Sequence, residues 1–197
     1  MSRFVQRIPF LIVVVSLLSG CGLFQTREPE SPTQPSDSFP PASVPDVVIE
    51  NLQGAIEKKD AVNYARCFPA SGRERQPYVF IPASGASALF SGVFARWSVD
   101  EERQYFQNMV AQTSTGAISA LQISNKSILE SADSALYSFN YVLVFQHTGT
   151  TLPDTAMGTM QLVLGLDLSN MWVIYRWTDF RTTTDYTWSY FKGKFSN

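Results

Sequence analysis

Leu136-Tyr137-Ser138-Phe139-Asn140-Tyr141-Val142-Leu143-Val144-Phe145-Gln146-His147 alternates along its length, with Tyr137, Phe139, Tyr141, Leu143 and Phe145 on one side. A period of two over such a run is a β-strand with one buried face. Ala156 to Leu168 repeats the pattern, placing Met160, Leu162, Leu164, Leu166 and Leu168 on one face and Thr159, Gln161 and Asp167 on the other. Ser169-Asn170 is a tight turn into Met171 to Phe180, which is rich in Trp, Val, Ile and Tyr. Ala117 to Ser124, with a continuation past Asn125-Lys126 to Glu130, supplies a further strand. Long neighbouring strands joined by short connections predict an antiparallel meander.

Upstream the period changes to that of a helix. Val48, Leu52, Ala55 and Ile56 recur at helical spacing, with Ser43 or Asp46 as cap and Lys58-Lys59 complementing the dipole at the end. Asp60 caps a short second helix with Ala61, Tyr64, Ala65 and Phe68 on its apolar face, stopped by Pro69. Tyr78 to Ile81 is a short strand, and Ala83 to Gly92 reads as a loop of small residues. Ser98-Val99-Asp100-Glu101 is a capping box opening a helix through Tyr105, Phe106, Met109 and Val110. Helices first and strands afterwards predict an α+β domain, with helices packed on one face of a curved antiparallel sheet.

The chain has 197 residues, 45% apolar and 16% charged, with 15 basic and 17 acidic side chains. That composition is globular and excludes wholesale disorder. A net charge of −2 with no basic run excludes a nucleic-acid binder, which needs a cationic face to displace counterions. One histidine and two cysteines leave too few ligands for a protein-built metal centre, so no metal or cofactor is expected. No phosphate-cradling glycine loop, Cys-x-x-Cys pair or elbow-type nucleophile is present.

At the N-terminus, Arg3 and Arg7 precede the apolar run Ile8 to Leu18, too short to span a bilayer and shaped as a secretory signal. The Leu18-Ser19-Gly20-Cys21 that follows resembles the lipobox of bacterial lipoproteins. That resemblance implies cleavage before Cys21, acyl chains on it, and membrane anchoring through the lipid. Gly22 after the cysteine implies, for a Gram-negative source, the periplasmic face of the outer membrane. From Gly22 to Pro45 the chain carries Pro29, Pro32, Pro35, Pro40, Pro41 and Pro45 among Ser, Thr and Gln, a tether with no core residues of its own. The expected organisation is a signal peptide over 1–20, lipidated cysteine and tether over 21–45, and one domain over 46–197. Once Cys21 is acylated, Cys67 is the single thiol left, and its neighbours Ala65 and Phe68 mark it as a small buried hydrophobe.

The order of two helices, a short strand, a helix and four strands resembles the nuclear transport factor 2-like cone. Asn51 to Asp60 with Tyr64 and Phe68 is similar to the opening helical hairpin of that superfamily. Trp97, Glu101-Glu102 and Phe106 to Met109 resemble the third helix of its lipoprotein members. Trp172 to Trp177 resembles the last strand, and Thr187-Trp188 with Phe191-Lys192 a short terminal element. The resemblance implies a cavity in the mouth of the cone, used for proton transfer by enzymes such as ketosteroid isomerase, and pairing of cones through the open sheet face. Fold alone decides none of these roles.

Tyr64, Trp97, Phe106, Tyr141 and Arg176 are the candidate pocket, a set of rings with one cation suited to a small amphipathic ligand. The same residues also suit a plain core, and Arg176 an exposed face with its stem packed on rings. His147 sits near a strand end, before Thr148-Gly149, where a solvated or turn-bonded imidazole is ordinary; Asp154 lies nearest across the turn. Asp100, Glu101 and Glu102 occupy the first turn of a helix, where the dipole accounts for them. Asp179 shares a strand face with Trp177. No catalytic set is placed by the sequence. The expected function is therefore a membrane-anchored, non-catalytic module that binds a small amphipathic ligand or a protein partner. The alternatives are a small-molecule isomerase, dehydratase or cyclase, and a structural homodimer.

Overall fold

A computed structural model of the chain describes residues 39–149 and 152–196. The expected signal segment, Cys21 and the greater part of the expected tether lie outside the described residues. The elements run α1 (Pro45–Glu57), α2 (Ala61–Ala65), β1 (Val79–Ile81), α3 (Ser84–Leu89), α4 (Ser91–Phe94) and α5 (Val99–Ala111). Then follow β2 (Ser119–Glu130), β3 (Ser134–Phe145), β4 (Thr155–Leu166), β5 (Trp172–Phe180) and α6 (Trp188–Phe195).

The alternation predicted for the long strands is what the sheet uses. Its order is β1-β5-β4-β3-β2. β2 to β5 form the antiparallel meander, and β1 joins β5 in parallel with Phe80 opposite Trp177. Tyr137, Phe139, Tyr141, Leu143 and Phe145 are all buried on one face, where Tyr137 reaches Asp46 of α1, Phe145 meets Phe106 of α5 and Tyr141 meets Trp188 of α6. Register shifts between Ser124 and Ser127, and between Val163 and Leu164, are bulges that add twist and let the sheet curve around the helices. Asn125, inside the first bulge, has φ 53°, a left-handed value that Asn tolerates better than most residues.

Four local expectations are corrected. The position before α1 is Val44, which makes no side-chain cap; Pro45 starts the helix with its fixed φ, where no N–H is needed. Asp46 turns instead to Lys126 Nζ at 2.6 Å and the Tyr137 hydroxyl at 3.1 Å, which hold its carboxyl below the usual range. Ala83 to Gly92 is not a loop but contributes to α3 and α4, because Phe90 and Phe94 stand one turn apart and anchor them. Phe94 lies 5.6 Å from Phe80, and Phe90 5.5 Å from Tyr190. Leu168 is not on the buried face but 61% exposed. β4 stops at Leu166 because the Asp167 carboxylate accepts from the backbone N–H groups of Ser169 and Met171 and closes the turn. Finally, the packed chain reaches back into the expected tether: Phe39 and Ala42 lie on the core, and Trp172 N–H donates to Ala42 O at 2.8 Å.

Other local expectations match. Asp60 caps α2 by accepting from Val62 and Asn63 N–H, each at 3.0 Å. Ser98 and Glu101 form the capping box of α5. Cys67 is 3% exposed, and burial pushes its thiol up to about 12, well away from thiolate chemistry at neutral pH. Among the described residues no helix is long and apolar enough to cross a membrane.

Candidate functional site

The curved sheet and the helices enclose an interior, and its chemistry centres on two carboxylates. The first is Glu102, fully buried in the first turn of α5. Its Oε1 accepts from the Tyr64 hydroxyl at 2.6 Å; its Oε2 accepts from Trp97 Nε1 at 2.6 Å and from the Tyr78 hydroxyl at 3.0 Å. The Lys192 ammonium of α6, also fully buried, sits 2.6 Å from Oε1 and 2.8 Å from Oε2. It lies 3.7 Å from the ring centre of Trp177 and 3.8 Å from that of Phe80, so the charge is held by ring faces as well as by the carboxylate. Burial brings Lys192 down to about 8, while Glu102 beside it pulls the other way.

A chain of donors runs from α6 into the same carboxylate. Trp188 Nε1 donates to the Tyr105 hydroxyl at 2.7 Å, and the Tyr105 and Tyr64 hydroxyls are 3.0 Å apart. Because the Tyr64 proton goes to Glu102, the Tyr105 proton goes to Tyr64. The second carboxylate is Asp179 on β5, 2% exposed. Oδ1 accepts from the Tyr141 hydroxyl at 2.8 Å; Oδ2 accepts from Ser189 N–H at 2.7 Å and from the Ser189 hydroxyl. Trp188 N–H donates to the Tyr141 oxygen at 2.7 Å, so the first free N–H groups of α6 are satisfied from the sheet. Burial raises the Asp179 carboxyl, against the opposing pull of Ser189, Tyr141 and Lys192.

Tyr64, Trp97, Phe106 and Tyr141 of the candidate pocket thus share this interior, with Tyr64 stacked on Phe106 at 4.0 Å. Arg176 does not join them. It is exposed, opposite Val163 and Val79, on the outer face of the sheet. His147 lies at the edge of α6. Its side chain is 1% exposed, its Nδ1 accepts from Gly149 N–H at 3.1 Å, and its ring meets Phe195 edge-on at 5.5 Å. Asp154 Oδ1 is 3.7 Å from its Nε2. Asp100 pairs with Arg103, and Glu101 belongs to the capping box, as first-turn acids do; Glu102 departs from that account.

Among the described residues the polar groups of the interior are almost all paired. Glu102, Lys192, Asp179 and the surrounding hydroxyls spend their hydrogen bonds on one another, and Trp188 and Lys192 bring α6 into both networks. Among the described residues, Trp177 Nε1 is the buried side-chain donor left without a partner. Open space reaches this interior at Tyr78, in a groove of about 740 Å³ that is also bordered by Phe39, Arg66, Arg73, Arg103 and Trp172. No cluster of His, Cys, Asp and Glu among the described residues is arranged to hold a metal ion.

No family model matches the chain, and no curated protein matches it. Solved structures do. A Kribbella flavida protein aligns over 74% of this chain and 91% of its own, with TM-score 0.52 and 8% identity. A proposed scytalone dehydratase from Novosphingobium aromaticivorans aligns over 71% and 81%, with TM-score 0.52 and 13% identity. A proposed dehydratase of the nuclear transport factor 2-like family from Streptomyces avermitilis aligns over 71% and 94%, with TM-score 0.50 and 9% identity. The fold is the nuclear transport factor 2-like cone. At such identities the likeness is one of fold and carries no activity with it.

The sequence reading missed Glu102 and Lys192, although the signal was there. Glu102 stands one turn before Tyr105 and Phe106 on the buried stripe of α5, and Lys192 one turn after Trp188 on that of α6. A charge on the apolar stripe of each of two helices is a pattern for a buried pair.

Proposed function

We propose that this chain is a lipid-anchored protein of the bacterial envelope whose cone domain binds rather than catalyses. The observation that carries the second half is that both buried carboxylates are already paired with side chains of the domain itself. A general acid or base must come within about 2.6–3.2 Å of the atom it serves. Around Glu102 those positions are taken by Tyr64, Tyr78, Trp97 and Lys192. Around Asp179 they are taken by Tyr141 and Ser189. Room for a bound molecule lies in the groove at Tyr78, whose volume falls in the range of small-molecule sites, roughly 300–1,000 Å³. Its lining joins Phe39 and Trp172 with Arg66 and Arg73 and with Glu74 and the Arg103–Asp100 pair, a mixed surface that suits an amphipathic ligand or a short segment of a protein partner.

The first half rests on the arginine-flanked apolar run and Leu18-Ser19-Gly20-Cys21. Metabolic labelling with a fatty acid tests it: the wild type is expected to carry label and to fractionate with membranes, and Cys21→Ser to carry none. A labelled Cys21→Ser chain overturns the anchor. One observation favours the dehydratase or isomerase reading, namely a buried carboxyl, Asp179, with its affinity for a proton raised and a tyrosine hydroxyl on it. Turnover of a hydroxylated or ketone-bearing substrate that Asp179→Asn abolishes would replace the binding reading.

A further inference from the structure

One flank of the domain combines a charge-poor stretch with exposed apolar side chains. Between Phe80 and Val99 the sole charged side chain is Arg96, in a chain with more acids than bases. This stretch forms α3 and α4, neither with a side-chain cap, and turns Ala88, Leu89, Gly92 and Ala95 outward. Leu89 is 61% exposed. Phe90, Val93 and Phe94 stand half-buried beside it.

The ring surface continues onto the end of the chain. Phe90 meets Tyr190 at 5.5 Å, and Tyr190 meets Tyr186, itself 42% exposed, at 5.2 Å. Lys194 Nζ stands 5.8 Å from the Phe90 ring and 5.7 Å from that of Tyr190. Arg181 is neutralised by Asp185 at 2.7 Å, which leaves Arg96 and Lys194 as the patch's net charge. Exposed aliphatic carbon, tyrosines with one apolar and one wet end, and two cations on flexible stems form the side-chain set of a bilayer interface. The cations fit lipid phosphates, and no acid of the stretch opposes them.

We propose that the surface formed by α3, α4 and the Tyr186–Lys194 edge docks on the lipid surface to which the chain is anchored. This rests on the anchored reading above. Residues 22–38 span at most roughly 60 Å fully extended, so an anchor at Cys21 keeps the domain close to the bilayer. Docking then needs little intrinsic affinity, because the tether supplies a high effective concentration. The inserted carbon is shallow, with Leu89 deepest and Tyr186 and Tyr190 at headgroup level.

The test uses the full acylated chain in vesicles of phosphatidylcholine and phosphatidylglycerol. An environment-sensitive thiol dye is placed at Leu89→Cys or, on the far edge strand β2, at Leu129→Cys, where the native side chain is 70% exposed. Cys67 is buried with its thiol pushed up to about 12, so it stays unlabelled in the folded protein. The expected result is blue-shifted emission at position 89 that a headgroup-nitroxide lipid quenches, with position 129 unshifted and unquenched. Equal quenching at the two positions, quenching at 129 alone, or none at either overturns the docking while leaving the anchor intact, and absence of quenching is also what a protein partner on this patch would give. A chain that does not float with the vesicles overturns the anchor, and the docking falls with it.

Discussion

Lys192 and Glu102 are each fully buried, and each is the other's reason for tolerating that position. A charge removed from water needs both an opposite charge and enough hydrogen bonds to replace the lost hydration. Glu102 collects them from Tyr64, Tyr78 and Trp97, and Lys192 collects ring faces. The pair is therefore poised so that losing one member is worse than losing both. Glu102→Gln, or Lys192→Met alone, is expected to cost about 3–5 kcal/mol, because the remaining charge stays buried without its partner. The double variant Glu102→Gln with Lys192→Met is expected to recover most of that loss, as read from urea unfolding midpoints. Additive losses in the double variant would mean that the two charges are not coupled. His147 belongs at this scale too. It was expected as a solvated or turn-bonded imidazole; it is turn-bonded through Gly149 and packed on Phe195 rather than solvated.

The secondary-structure elements divide by how much of their information is local. The strands were legible because each carries its burial as alternation, and the meander follows from their short connections. α5 was legible from Ser98 and Glu101, α2 from Asp60. What was not legible depends on contacts distant in sequence. α3 and α4 read as a loop because Ala, Ser and Gly carry little helical signal, and the residues that fix them, Phe90 and Phe94, find their partners on α6 and β1. For the site, four of the five proposed pocket residues share the interior, whereas Arg176, beside Tyr175 and Trp177 in sequence, alternates to the opposite face. The packing of α6 on the interior had no local signature beyond Lys192 on its apolar stripe. A single glycine makes that packing possible. A Cβ on Gly193 would stand 2.3 Å from Phe90 Cδ2 and 2.6 Å from its Cγ, near the root of the ring where the side chain cannot yield by bending its tip. Gly193→Ala is expected to destabilise the domain by about 1–3 kcal/mol, the usual penalty of overpacking, and to speed amide exchange in α6 before the sheet. Unchanged exchange in α6 would show that Phe90 moves aside freely.

At the scale of the molecule, two apolar residues in a proline-rich stretch, Phe39 and Ala42, extend the packed domain ahead of α1. Composition alone assigns Gly22 to Pro45 to the tether and predicts that removing it leaves the melting temperature unchanged. Phe39 and Ala42 nevertheless lie on the core, Asn51 Nδ2 donates to Pro40 O at 2.9 Å, and the first N–H of β5, at Trp172, donates to Ala42 O. Phe39 also covers Gly54 of α1, where a Cβ would already be 3.1 Å from its ring. Chain that starts at Ser43 gives up this cover and leaves the Trp172 N–H without its acceptor in a residue that is 8% exposed. Partial burial of one ring and one orphaned amide together amount to about 2–3 kcal/mol. For a domain of this size each kcal/mol shifts the midpoint by about 2–4 °C. A chain beginning at Ser43 is therefore expected to melt roughly 5–10 °C below one beginning at Gly22, and one beginning at Phe39 to melt with the longer chain. Coincident melting of all three would return Phe39 to Ala42 to the tether and move the first fixed point of the domain to Pro45.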